Sequence, residues 1–179
     1  MSEKSLSYPI GEFEKPRIID QAQLNMWIGD IATFPDRLKV MVIVLTPEQL
    51  RWVYRPGGWS IKQVVHHCAD SHINSICRFK LALTEDQPTI RPYMEDRWAA
   101  LPFGAEDDLD DTLMTLTGLH SRWAKLLRVL NEEQLDRTYI HPDYEEPLTV
   151  RETIGMYAWH CNHHLAHIKQ ALDHQGSFN

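Results

Sequence analysis

The chain has 179 residues, 43 % of them apolar, with a formal net charge of −7 at pH 7 and a pI of about 5.8. That length suits one domain with its own core, and the apolar share argues against disorder. No Lys/Arg run supports a nucleic-acid-binding role, no apolar run is long enough to span a bilayer, and the polar opening MSEKSLSYPIGEFEKPR lacks the apolar stretch of a secretory signal.

Residues 1–19 carry Pro9, Gly11 and Pro16 without periodicity and are expected to form an extended arm, followed by one domain over 20–179. From Asp20, a suitable N-cap, apolar residues recur at helical spacing from Leu24 to Leu45. Pro35 should kink or interrupt that helix near Phe34. Thr46-Pro47-Glu48-Gln49 reads as a helix start, with an N-cap, a proline at the first helical position and a capping-box Gln. Arg55-Pro56-Gly57-Gly58 is a turn. Ser60-Ile61-Lys62-Gln63 is a second capping box, with Trp59 and Val64 placed to form a hydrophobic staple, and it opens a long helix to about Leu83.

Pro88 and Pro92 bracket a loop, and the run from Met94 to Leu101 suggests a short helix. A third long helix should begin near Asp107 or Asp108, where acidic residues suit the first turn. A short helix at Asn131, a loop over 141–147, and a capping box at Thr149-Val150-Arg151-Glu152 follow. That box opens a fourth long helix to about His174. Residues 44–50 and 129–135 echo one another, as do the boxes at 60–63 and 149–152, so the halves repeat one order of elements. The expected fold is all-α: a four-helix bundle of two pseudo-symmetric helix pairs with short connecting helices, and no strand of useful length.

There are three cysteines, Cys68, Cys77 and Cys161, and no C-x-x-C. An odd count without metal spacing points to free thiols in a reducing cytoplasm. Histidine stands out, with ten copies. The fourth helix carries His160, His163, His164 and His167, and residues four apart on a helix share a face. On the helical wheel His160 and His164 flank the apolar stripe, while His163 points away from it toward solvent. In the second helix His72 lies near the centre of the stripe, with His66 and His67 on opposite flanks. Burial favours His72 as the inward residue; the polar company of Ser71, Asn74 and Arg78 favours His67. The wheel leaves that choice open. If the capping boxes at Ser60 and Thr149 sit at comparable levels, a histidine of the second helix would meet the pair in the fourth.

The stretches GGWSIKQVVHHCADSHINSICRFKLALTE from Gly57, TIRPY from Thr89 and YAWHCNHHLAHI from Tyr157, with the opening LSYPIGEFEKP, resemble the YfiT-type metal-dependent hydrolases of the DinB-like superfamily nearly end to end. The resemblance implies a four-helix bundle, usually dimeric, with one divalent metal, zinc or nickel, on three histidines and water. Matched residue by residue, those ligands are His67, His160 and His164. Three neutral imidazoles leave an ion its full charge and an open position, the pattern of a catalytic site. The nucleophile would be a bound water or a thiolate. Close relatives resemble bacillithiol transferases, so the expected activity is transfer of a low-molecular-weight thiol such as bacillithiol. Hydrolysis is one alternative, and a non-catalytic metal-binding stress-response module is another. Small-molecule contacts are expected from Ser71, Asn74, Arg78 and Arg91. His72 is expected to be a core histidine bonded to a main-chain carbonyl, His120 and His141 to be surface or loop residues, and Trp27, Trp59, Trp123 and Trp159 to pack the core. Cys68 and Cys161 read as inert buried thiols.

Overall fold

The computed structural model describes residues 3–178. In chain order its helices are α1 (Glu3–Ser7), α2 (Gln21–Val42), α3 (Pro47–Leu50), α4 (Ile61–Thr84), α5 (Glu95–Ala99), α6 (Asp110–Leu127), α7 (Glu132–Leu135) and α8 (Val150–Asp173). The segment expected to be extended therefore opens with a short helix. From Tyr8 to Asp20 it runs without helix and lies on α8, where the Trp159 indole donates to the Gly11 carbonyl at 3.1 Å. The only strands among the described residues are the two-residue pair β1 (Thr138–Tyr139) and β2 (Leu148–Thr149), which brings the loop of residues 140–147 back to the start of α8.

The helix starts follow from local chemistry. Thr149 caps α8 reciprocally: its hydroxyl accepts from the Glu152 N–H at 3.1 Å, and the Glu152 carboxylate accepts from the Thr149 N–H at 3.0 Å. Thr46 and Asn131 cap α3 and α7 in the same way. At α4 the Gln63 side chain accepts from the Ser60 N–H at 3.1 Å. Helix α6 starts later than expected because Asp107 pairs with Lys62 and Arg51, while Asp108 accepts from the Asp110 N–H. Pro35 does not interrupt the helix. Burial of Phe34, Pro35 and Leu38 carries α2 through it.

Helices α2 and α4 each pack chiefly against α6 and α8. The two long helices of each half, α2 with α4 and α6 with α8, therefore stand on diagonals, and the two halves interleave instead of forming two separate pairs. The shared core runs from Ile31, Phe34 and Leu38 through Val65, Cys68 and Phe79 to Leu116, Trp123, Ile154 and Ile168.

Helices α4 and α8 run antiparallel. His67 faces His164, His72 faces His160, and Arg78 reaches Tyr157. The two capping boxes thus lie at opposite ends of this pair, so the condition set for the histidines to meet, a shared level, is not fulfilled. The histidines still converge, because His67 stands near the start of α4 and His164 near the end of α8.

Candidate metal centre and cleft

His67 on α4 and His160 and His164 on α8 present one ring nitrogen each, all within 4.8 Å of one another. His160 and His164 lie one helical turn apart, and their Nε2 atoms are 3.1 Å apart. The rings of His67 and His164 are 4.9 Å apart, and those of His67 and His160 5.5 Å. His67 and His164 are buried, and His160 is partly open to the cleft. Burial pushes the His67 imidazole down to about 4, and burial followed by the neighbouring histidines holds His160 and His164 well below the ordinary value. At neutral pH all three rings are uncharged and each keeps a lone pair, the state metal ligation requires.

This donor set fits a divalent ion. Nitrogens at 2.0–2.1 Å from a tetrahedral zinc stand about 3.3–3.4 Å apart, close to the spacing of the His160 and His164 nitrogens. No fourth His, Cys, Asp or Glu of the described residues joins the group.

Two lobes open on this trio. One, of about 480 Å³, is walled by Ser71, Arg78, Tyr93, His141, Tyr144 and Tyr157. The other, of about 410 Å³, is walled by Tyr8, Tyr54, Arg55, Trp59, His67 and His163. His160, Trp159 and Glu95 border both. In the first lobe the Arg78 guanidinium donates to the Tyr157 hydroxyl at 3.2 Å, and the Ser71 hydroxyl lies 3.5 Å from His160 Nε2. Burial, reinforced by the Glu95 carboxylate, pushes the Tyr93 phenol up, so it remains a protonated donor.

Of the expected contact residues, Ser71 and Arg78 line the first lobe. Asn74 and Arg91 do not. They border a separate hollow that shares only Pro92 and Tyr93 with it, and the Asn74 amide is tied to the Asp70 carbonyl at 2.8 Å. Arg78, seven residues on, returns to the helix face of Ser71, whereas Asn74, three residues on, lies about 60° to one side, so the polar run 71–78 covers more than one surface.

Several histidines depart from expectation. His163 is buried, not solvent-facing, because the Trp159 ring stacks on it at 4.4 Å and Tyr8 of the arm covers it. His66, on a flank of the stripe by the wheel, is buried toward α6. It bonds the Thr112 hydroxyl and the Glu106 carbonyl. His141 is buried beside the cleft, accepting from the Asp143 N–H at 3.3 Å. His120 is a core residue, fully buried, and His72 is bonded to two histidines rather than to a carbonyl. Trp123 packs the core as expected, and Trp27 and Trp59 pack against it; Trp59 also walls the cleft, and Trp159 is a cleft wall. Glu95 and Tyr144 gave no signal in the sequence, and Tyr93 and Tyr157 lie in the stretches that carry the family resemblance without being singled out there. Cys68 and Cys161 are buried, and burial raises both thiols.

The sequence profile of the DinB superfamily matches residues 31–168, which include all three clustered histidines. The chain belongs to the DinB superfamily. Among its relatives is YfiT of Bacillus subtilis, which bears the name "Putative metal-dependent hydrolase YfiT" and is 45 % identical over 176 residues, covering 98 % of this chain and 99 % of that one. A Bacillus cereus (strain AH820) protein with the same description is 47 % identical over 163 residues, covering 91 % of this chain and 93 % of its own. A solved structure of B. subtilis YfiT, described as a probable metal-dependent hydrolase with an unusual four-helix bundle topology, matches with a TM-score of 0.92. It covers 97 % of this chain and 99 % of that one. In this DinB-superfamily chain, the diagonal placement of α2 opposite α4 and of α6 opposite α8 is what sets α4 beside α8 and so assembles the trio. No helix among the described residues is long and apolar enough to cross a membrane.

Proposed function

We propose that His67, His160 and His164 hold one divalent ion, zinc or nickel, and that the protein transfers a low-molecular-weight thiol such as bacillithiol onto an electrophile. The observation that carries this reading is the two-lobed cleft meeting at His160. Hydrolysis needs a pocket for one organic substrate, whereas thiol transfer must hold two molecules with their reacting atoms in contact. When bound, the ion supplies the charge that keeps a thiol or a water deprotonated at neutral pH.

The remaining work falls to the chain's own residues. Trp59 and Trp159 wall the trio and limit water around it. Ser71 offers a hydroxyl beside His160, and Arg78 places a fixed positive charge in the first lobe, suited to an anionic group of either substrate. In the reaction a sulfur–carbon bond forms, the acceptor's leaving group departs with its electron pair, and the thiol proton passes to solvent. The free thiols Cys68, Cys77 and Cys161 fit a reducing cytoplasmic setting.

The names of the relatives favour a second reading, hydrolysis at the same centre. A non-catalytic metal-binding module is disfavoured, because a structural site normally closes its coordination with a fourth protein ligand. The test is metal-loaded protein with a model electrophile, with thiol added or withheld. Turnover that requires the thiol supports transfer; turnover without it rejects transfer in favour of hydrolysis. Tight metal binding with no turnover in either arm supports the module. The dimer expected from the resemblance is tested by sedimentation velocity, where a single monomeric species over a wide concentration range rejects it.

A further inference from the structure

Within α2 the Ile31 carbonyl would ordinarily accept from the N–H of residue 35, but residue 35 is proline and has none. The fully buried His120 on α6 takes that place, its Nδ1 lying 2.6 Å from the Ile31 oxygen. His120 Nε2 lies 2.8 Å from His72 Nδ1, and His72 Nε2 lies 3.0 Å from His160 Nδ1. Four elements of chemistry thus stand in one line: a freed carbonyl, two core histidines and a ring of the trio.

The direction of every bond in that line follows from its first member. A carbonyl only accepts, so His120 Nδ1 carries the hydrogen. A neutral ring has one hydrogen, so His120 Nε2 accepts and His72 Nδ1 donates to it. His72 Nε2 must then accept, and His160 Nδ1 donates. The lone pair of His160 is left on Nε2, the atom that faces His164. A parallel line reaches His164. His167 Nε2 donates to the Ser7 carbonyl at 3.1 Å, so its Nδ1, 3.4 Å from His164 Nδ1, accepts, and the His164 lone pair also falls on Nε2. Two lone pairs then meet 3.1 Å apart, an arrangement a cation between them would relieve.

We propose that His120 and His72 are positioning residues, a tautomer relay anchored on the carbonyl that Pro35 frees, and that they present His160 Nε2 to the metal. The relay explains why His72 and His120, although close to Cys161 in a potential ligand group, do not form a second metal site: their ring nitrogens are committed to one another, to Ile31 and to His160. The proposal rests on the three-histidine centre, but its first test does not.

The first test reads wild-type protein stripped of metal and labelled with 15N-histidine, using two-bond correlation spectra at neutral pH to locate the ring hydrogens. His120, His72 and His160 should each be protonated on Nδ1; a His160 protonated on Nε2 overturns the relay. The second test is competition for Zn2+ against a chromophoric chelator. His72→Leu and His120→Leu should bind about 10–100-fold more weakly, the usual loss on removing the partner of a ligating imidazole. His120→Gln, which keeps one donor and one acceptor, should recover most of that loss. Phe34→Leu is the packing control, since its ring lies 5.2–5.3 Å from those of His72 and His120 but makes none of these bonds. An equal loss in Phe34→Leu, or none in the histidine variants, overturns the relay. Wild-type protein that binds neither Zn2+ nor Ni2+ overturns the metal centre instead, and the spectra still decide the relay.

Discussion

The Arg78 guanidinium donates to the Tyr157 hydroxyl at 3.2 Å, joining α4 to α8 across the first lobe of the cleft. The contact fixes a cation that tyrosines surround on a wall otherwise short of positive charge. Arg78→Met keeps much of the side-chain volume and removes the charge. A charged hydrogen bond to substrate contributes about 1.5–3 kcal/mol, so kcat/KM for an anionic substrate should fall about 10–100-fold. Zn2+ affinity measured by chelator competition should stay unchanged, which separates substrate contact from metal ligation.

Removing one ring of the trio should remove the metal. His67→Ala deletes the α4 ligand and leaves two histidines on one helix, so stoichiometric Zn2+ or Ni2+ binding should be lost. Wild-type protein with metal at 100 times its Kd should gain about 2.7 kcal/mol, which for a domain of this size raises Tm by about 5–10 °C. His67→Ala should show no such rise in a thermal melt. A variant that keeps the full rise would remove His67 from the ligand set.

Acid should destabilise the metal-free protein through its buried imidazoles. Burial lowers His120 from 6.5 to about 4, while the unfolded chain keeps the ordinary value. Between these two values the unfolded state binds a proton that the folded state does not, so stability falls as pH falls through that window. The contribution is present in full above pH 6.5, and its loss is complete below about 4. For this group alone the loss is about 3 kcal/mol. Urea unfolding with a chelator present, at several pH values from 7 to 4, checks the slope. A flat profile across the window would contradict the buried neutral state.

Gly155 lets the Trp27 indole of α2 approach α8 closely. A Cβ at that position would come within 2.7 Å of the indole. Gly155→Ala should therefore cost about 1–3 kcal/mol through overpacking, despite the better helix propensity of alanine. A Tm unchanged from wild type would show that the indole moves aside freely. Metal affinity should not change, because Gly155 lies outside both lobes.

Much of this protein was legible in its sequence. The capping boxes at Thr46 and Thr149 and the apolar stripes marked where the helices begin and which faces they bury, because both are local effects of nearby residues on one helix. The pairing of His160 with His164 followed from the same periodicity. The choice of His67 over His72 did not, since it depends on which helix lies opposite. Tertiary structure alone put α4 antiparallel beside α8, with the two long helices of each half on diagonals. That arrangement turns His67 into the cleft and His72 into the core. It also brought His120, unremarkable in spacing, to a carbonyl that a proline on another helix had freed. Spacing along a chain reports neighbours within one turn of helix. Contacts between residues about ninety positions apart are decided by how whole helix faces pack to exclude water, and no local pattern records them.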